Sequence, residues 1–330
     1  MTNRVPTENL FAGVVYGTAI GDAMGYPVEF MDVGAIKARG VLDTALWNLY
    51  SDDTQMFRAV CEGLLRADTI VDIDKAGNEV AEDFIAWAHS PDNNRAPGNA
   101  CMYGSHRLTD GIPWRESGKP DSKGCGTAMR SMAYGMWFWS DPELAAAWAA
   151  EHALMTHASD EAMAAAAAVA AGVACGLLGM DAMRTVDMMI HVARKYDDYV
   201  VELIAAAKSD AMTYQIKPDD FANSSPDAVL DRLRGWRGGE AVAASVYCFL
   251  LSPDDYENVV RTAVTSPGDS DSLGAIAGAL VGARVGALGI NRDWRNNVEK
   301  TGELEQLAYR MHQRMVIDQG AVDHGRTVVG

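Results

Sequence analysis

At 330 residues, with 48% hydrophobic and 22% charged residues, the chain has an ordinary globular composition and enough apolar side chains for a sizeable core. Disordered and fibrous classes are thereby set aside. Forty-five acidic against 28 basic residues leave a net charge of −17, whose field repels phosphate backbones and anionic lipid surfaces. No general nucleic-acid binding and no membrane binding are expected, and a phosphate-bearing ligand must be met locally, by loop amides, helix N-termini or bound cations.

The N-terminal stretch is polar and reaches Asp22 before any long apolar run, so no secretory signal is expected. From Asn9 to Met24 the apolar spacing is helical, and the Gly-rich GTAIGDAMG inside it lacks the preceding strand that a dinucleotide fingerprint needs. A loop follows from Val33 to Tyr50, then helical patterns over Thr54 to Arg66 and Glu79 to His89. Loops over Ser90 to Gly98 and Leu108 to Gly126 lead to helical spacing at Pro142 to Met155, Glu161 to Leu178, Met183 to Lys195 and Val200 to Ser209. After a loop over Met212 to Pro226 come Glu240 to Leu251 and Tyr256 to Thr265, then a loop from Thr265 to Asp271 and a last pattern from Ser272 to Leu288.

Alternating β-type runs are scarce, so no parallel sheet or Rossmann unit is read. Ala162 to Met180 and Leu273 to Ile290 are poor in charge, but both are dominated by Ala and Gly and bounded by acids, which suits buried core helices better than membrane spans. In the second, Gly274, Gly278, Gly282 and Gly286 share one face that can press against a neighbouring helix. The five cysteines include no C-x-x-C pair and read as reduced thiols of a cytoplasmic protein, neither a disulfide framework nor a zinc site. No linker composition divides the chain, so one all-α domain over 1–330 is expected.

Two acidic clusters stand at predicted helix starts, Ser51-Asp52-Asp53-Thr54 and Asp269-Ser270-Asp271-Ser272. Capping explains each alone, because Ser and Asp accept from first-turn N–H groups and carboxylates suit the positive end of a helix. Together they say more. If the two helix ends meet, four carboxylates converge on one point, repel one another, and are balanced by two divalent cations. All-oxygen ligands select hard ions, so Mg²⁺ or Mn²⁺ fits better than zinc.

The segments GTAIGDAMGYPVEF (Gly17 to Phe30), SDDTQM (Ser51 to Met56), RAPGNAC (Arg95 to Cys101), DSKGCGTAMR (Asp121 to Arg130), Thr156-His157 and GDSDSLGAIAG (Gly268 to Gly278) are similar, in order and spacing, to the ADP-ribosylglycohydrolases. Gly235-Trp236 through Glu240-Ala241 to Tyr247-Cys248 resembles the segment before the second acidic motif in a bacterial branch of that family. The resemblance implies a compact orthogonal multi-helix fold and a binuclear Mg²⁺ or Mn²⁺ centre. By the same resemblance the ligands are Ser51, Asp52, Asp53, Asp269, Asp271 and Ser272, with Glu29, Asp53 and Asp269 as catalytic acids. Asn99, the loop Asp121, Ser122, Lys123, Gly124, Cys125, Gly126, then Met129, His157 and Trp236 would join Glu29 in contacting substrate. The activity implied is hydrolysis of the glycosidic bond between ADP-ribose and an acceptor, a protein side chain or a small molecule, with ADP-ribose as product.

Serine replaces the family's commoner threonine at Ser51 and Ser272, keeping the oxygen, while Pro267 and Ala100 depart in ways that reshape loops without removing a ligand. Two other readings compete: a non-catalytic ADP-ribose-binding or structural family member, and a metal hydrolase of a free nucleotide. His89, His106, His152, His191, His312 and His324 show no metal-ligand spacing and read as surface or satisfied side chains, and Trp137 and Trp139 as core. Cys125 has no His/Asn constellation in sequence to activate it, so backbone donation is its expected role.

Overall fold

The structure, a computed structural model, describes residues 5–39, 48–216 and 222–318. It is all-helical. In chain order the helices are α1 (Glu8–Gly25), α2 (Val33–Arg39), α3 (Asp52–Ala67), α4 (Ile73–Ala88), α5 (Asn99–Thr109), α6 (Met132–Trp137), α7 (Pro142–Ala153) and α8 (Asp160–Leu177). They continue with α9 (Ala182–Ala193), α10 (Asp198–Ile216), α11 (Pro226–Arg232), α12 (Gly238–Leu251), α13 (Tyr256–Ala263), α14 (Ser270–Val285), α15 (Arg292–Asn297) and α16 (Thr301–His312). Among the described residues the only strands are β1 (Lys119–Pro120) and β2 (His157–Ala158), which pair in parallel.

The starts of these helices follow local chemistry. Ser51, Asp72, Asp141, Ser159, Asp181 and Asp255 each accept a backbone N–H of the first turn of the helix they precede, which satisfies a donor that has no partner inside the helix. The alanine-rich α8 is long and apolar enough to cross a membrane, yet 89% of that stretch is buried inside the protein, packed by α6, α7, α9, α12 and α14. Small side chains let that many helices approach one axis.

α1 and α14 lie antiparallel and touch backbone to backbone. A Cβ placed at Gly17 would sit 2.3 Å from the Gly278 carbonyl oxygen, and one at Gly274 would sit 2.2 Å from that of Gly21. Gly13 meets Gly282 and Gly286 in the same way, and Gly25 meets Ser270, whose hydroxyl donates to the Gly25 carbonyl at 2.9 Å. The glycine face expected on α14 is therefore matched by a second one on α1. Because the pair is antiparallel, the C-terminal end of α1, with Asp22 and then Glu29, lies beside the N-terminal end of α14, with Asp269 and Asp271.

Several boundaries differ from the sequence reading. The stretch expected to be a loop from Val33 to Tyr50 opens with α2, and its residues 40–47 lie outside the described residues. α10 runs past Ser209 to Ile216, because Ala211 is buried and Gln215 Nε2 donates to the Leu250 carbonyl at 2.8 Å. α4 starts at Ile73, earlier than its apolar spacing suggested, under the Asp72 cap. α5, α6, α11, α15 and α16 were not read from the sequence; most are short, and their stability comes from packing more than from a repeating apolar face.

Candidate active site

Asp22, fully buried near the end of α1, is the first residue that organises the site. Its Oδ1 accepts the Ser51 N–H at 2.8 Å, and its Oδ2 accepts the Thr54 N–H at 2.9 Å and the Thr54 hydroxyl at 2.6 Å. One carboxylate thus holds the N-terminus of α3 against α1, in the place where helix N–H groups lack internal partners. Burial pushes its pKa up to about 7, the Asp271 charge adds to this, and the hydrogen bonds from Thr54 and Ser51 oppose it. Sequence reasoning missed Asp22 as a site residue; the available signal was an acid inside an otherwise apolar helix.

Held this way, α3 presents Asp52 and Asp53 to Asp269, the residue that precedes α14, and to Asp271 of its first turn. Glu29, Asp269 and Asp271 each place a carboxylate oxygen within 4.8 Å of the others. Asp52, Asp53, Asp269 and Asp271 are buried, and burial holds all four above the usual carboxylate range; neighbouring carboxylates add to this for Asp52, Asp53 and Asp269, while hydrogen bonds, that with Asp269 first, oppose it for Asp271. Glu29, less enclosed, is pushed up to about 9 by burial and then by Asp271, Asp52 and Asp22. Asp53 Oδ2 is buried with no hydrogen-bond partner, a costly arrangement for a carboxylate unless a cation meets it. The donor set is rich in carboxylate oxygens and fits hard divalent ions.

The opposite wall is built by the segment from Ser122 to Met129 and by β2. Arg130, fully buried, donates from Nη1 to the Gly126 carbonyl and from Nη2 to Thr156 Oγ1, each at 2.8 Å. The Thr156 hydroxyl lies 2.8 Å from His157 Nδ1. Arg130 can only donate, so Thr156 Oγ1 accepts from it, and the same hydroxyl holds the His157 ring in place through Nδ1. Burial, with Arg130 and Lys119 nearby, pushes the His157 pKa down to about 3, so the ring is neutral. Nε2 faces Gly124, where an added Cβ would come within 3.1 Å of it.

The segment after α11 closes the rim. The Gly238 N–H donates to the Lys123 carbonyl at 2.8 Å, Arg237 pairs with buried Glu161 of α8 (Nε to Oε1 3.0 Å), and the Asp269 N–H donates to the Arg234 carbonyl at 2.8 Å. Trp236, 40% exposed, stacks on Phe30, 71% exposed, with centroids 5.2 Å apart and planes 17° from parallel. Phe30 holds φ at 67° and Ala96, across the cavity, at 54°, both sparsely populated for residues with a side chain.

These walls enclose a cavity of 540 Å³, within the range of small-molecule sites. Of the residues expected at the site, Glu29, Asp52, Asp53, Asn99, Ser122, Gly124, Cys125, Gly126, Met129, His157, Trp236, Asp269, Asp271 and Ser272 line it. Ser51 does not; it is buried behind the cluster, where its hydroxyl accepts the Asp53 N–H at 3.3 Å and bonds to Asp271. Asp121 and Lys123 are exposed and also stand outside the lining, because their backbones are committed to pairing, the Asp121 N–H to the Ala158 carbonyl at 3.0 Å and the Lys123 carbonyl to Gly238. Cys125 offers its thiol, not only its backbone: Sγ donates to Asp269 Oδ2 at 2.7 Å. Phe30, Cys101 and Lys119 also line the cavity and were missed. His152 is buried with both nitrogens bonded, to Tyr134 and the Ile73 carbonyl, while His324 lies outside the described residues.

The ADP-ribosylglycohydrolase family model matches residues 3–320. The chain belongs to the ADP-ribosylglycohydrolase family. It is 25% identical to the ADP-ribosylhydrolase ARH3 of Danio rerio, with 96% of this chain and 93% of that one covered. It is also 25% identical to the ADP-ribosyl-[dinitrogen reductase] glycohydrolase of Rhodospirillum rubrum, over 89% of this chain and 91% of that one. The fold matches a solved ADP-ribosylglycohydrolase-related protein complex with a TM-score of 0.73 at 22% identity, over 93% of this chain and 98% of that one. The family supports hydrolysis of ADP-ribosyl bonds in general, and the cavity brings together five of this chain's acids, Glu29, Asp52, Asp53, Asp269 and Asp271.

Proposed function

We propose that this chain is a metal-dependent hydrolase that cleaves the glycosidic bond between ADP-ribose and an acceptor, reversing ADP-ribosylation of a protein or a small molecule. The observation that carries the proposal is the convergence of Glu29, Asp52, Asp53, Asp269 and Asp271 at one cavity, with the buried Asp53 Oδ2 left unpartnered. A purely structural cluster of acids would be a net cost to the fold.

Asp52, Asp53, Asp269 and Asp271, with the hydroxyl of Ser272, would hold two ions of the Mg²⁺ or Mn²⁺ type, while Ser51, expected as a ligand, stands behind them and orients Asp53 and Asp271. When bound, such ions supply the positive charge that lets the carboxylates ionise, and they polarise ribose hydroxyls and water. Glu29 is the least enclosed of the five acids and the one free to exchange a proton with the leaving group or the attacking water. His157, neutral, offers a hydrogen-bonding ring to the cavity without adding charge. Lys119 and the segment from Ser122 to Gly126 meet the anionic pyrophosphate locally, against the repulsion of a chain of net charge −17. The stacked Phe30 and Trp236 shield the reacting end of the cavity from bulk water.

The test is chromatography of free ADP-ribose released from a panel of ADP-ribosylated proteins and small molecules, with Mg²⁺, with Mn²⁺ and with EDTA. Release from at least one substrate, abolished by EDTA, is expected. ADP-ribose binding without any release would favour a binding protein instead.

A further inference from the structure

Glu29 is carried by a tight turn. The Met31 N–H donates to the Val28 carbonyl at 3.0 Å, Glu29 has φ −51° and ψ 138°, and Phe30 has φ 67°. This is type II geometry, in which the position held by Phe30 favours glycine or asparagine because other side chains are strained at positive φ. The sequence instead places a large ring there and leaves it 71% exposed, so burial in the core does not account for the choice. The ring lies flat against Trp236, with centroids 5.2 Å apart.

Trp236 belongs to a segment tied down on both sides. The Asp269 N–H donates to the Arg234 carbonyl and the Gly238 N–H to the Lys123 carbonyl, each at 2.8 Å, and Arg237 pairs with buried Glu161. Trp236 is thus a fixed surface against which Phe30 rests. The residue before Phe30 is Glu29, whose carboxylate comes within 4.8 Å of those of Asp269 and Asp271.

We propose that Trp236 is a positioning residue for Glu29: by holding the Phe30 ring it keeps the turn from Val28 to Met31 in its strained form, and so aims the Glu29 carboxylate into the cavity. The inference rests on the reading of Glu29 as the acid–base group. Without Trp236, Phe30 relaxes to negative φ, the turn opens, and half-buried Glu29 moves towards solvent. The aromatic pair therefore acts through backbone shape, in addition to covering the cavity.

The experiment separates turn shape from aromatic contact by the residue placed at position 30. Phe30→Asn and Phe30→Gly suit positive φ without a ring, whereas Phe30→Ala and Phe30→Val do not. On the full chain, carbodiimide-driven labelling of Glu29 with glycine ethyl ester, mapped by mass spectrometry, should rise several-fold in Trp236→Ala, Phe30→Ala and Phe30→Val. It should stay near the wild-type level in Trp236→Phe and Phe30→Asn. Single-turnover release of ADP-ribose should fall on the order of tenfold or more in Trp236→Ala and Phe30→Ala, with ADP-ribose affinity changed much less. Adding Phe30→Asn to Trp236→Ala should recover most of the lost rate. Phe30 is exposed, so its variants keep the test open should Trp236→Ala fail to fold. Unchanged Glu29 labelling in the alanine variants, or a Phe30→Asn protein as slow as Phe30→Ala, overturns the proposal. If labelling follows the expected order but wild type releases ADP-ribose from no substrate, Trp236 positions Glu29 and the hydrolase reading is what fails.

Discussion

Asp22 Oδ2 accepts two hydrogen bonds from a single residue, Thr54, through its backbone N–H at 2.9 Å and its hydroxyl at 2.6 Å. With the Ser51 N–H on Oδ1, this fixes the acidic end of α3 to α1 without Asp22 lining the cavity itself. Removing the acceptor strands buried donors, each costing about 1–3 kcal/mol. Asp22→Ala should therefore lower unfolding free energy by several kcal/mol in urea titration and weaken the Mn²⁺-induced rise in melting temperature. Thr54→Val, which removes only the hydroxyl, should show a smaller version of both effects. An unchanged Mn²⁺ response in a folded Asp22→Ala protein would show that the α3 anchor does not set the metal ligands.

The antiparallel α1 and α14 contact joins stability to the site. A Cβ at Gly21 would lie 2.0 Å from the Gly274 carbonyl oxygen, a clash with backbone that no rotamer relieves. Overpacking of this kind costs about 1–3 kcal/mol or more. Gly21→Ala, one turn from the acids, should lower both stability and metal affinity. Gly13→Ala, at the far end of the same contact, should lower stability with less effect on the metal. Equal metal affinities in the two variants would separate the helix contact from the geometry of the site.

Glu29 and Asp22 have folded pKa values of about 9 and about 7, above their ordinary 4.5 and 3.8. A raised folded value means the native state binds more protons than the unfolded chain, so the stability these groups contribute is full at low pH and lost as pH rises through 7 and then 9. His152 and His157, pushed down to about 3 from 6.5, have the opposite sign, and their contribution is lost as pH falls below 6.5. Asp22 has lost its contribution by about pH 7, so between about pH 7 and 9 Glu29 dominates among these groups. In EDTA the melting temperature should fall by a few degrees over that interval, and saturating Mn²⁺ should flatten the fall. A flat profile in EDTA would remove the protonated cluster from the account.

Glu29→Gln tests the chemistry apart from binding. Glutamine keeps the shape but cannot carry a proton, and positioned acid–base catalysis contributes about 10²–10⁴-fold. ADP-ribose affinity by isothermal titration should stay within a few-fold of wild type, while single-turnover release of ADP-ribose falls at least a hundredfold, on the order of that contribution. Release near the wild-type rate would take Glu29 out of the mechanism and direct attention to the aspartates.

The chain's sequence by itself determined the helical fold class and the two acidic helix starts, because apolar spacing, Ser and Asp caps and glycine faces act within a few residues of one another. It also carried the family resemblance, since the motifs survive as short contiguous strings. Tertiary structure alone decided the rest. Asp22 became an anchor only because the N-terminus of α3 packs against α1, and Phe30 found Trp236 across most of the chain's length. Asp121 and Lys123 were turned to solvent by the pairing of their backbones with β2 and Gly238, while the Cys125 thiol was turned inward onto Asp269. Which way a loop side chain points depends on hydrogen bonds to distant segments, and those partners are not written in the residues on either side of it.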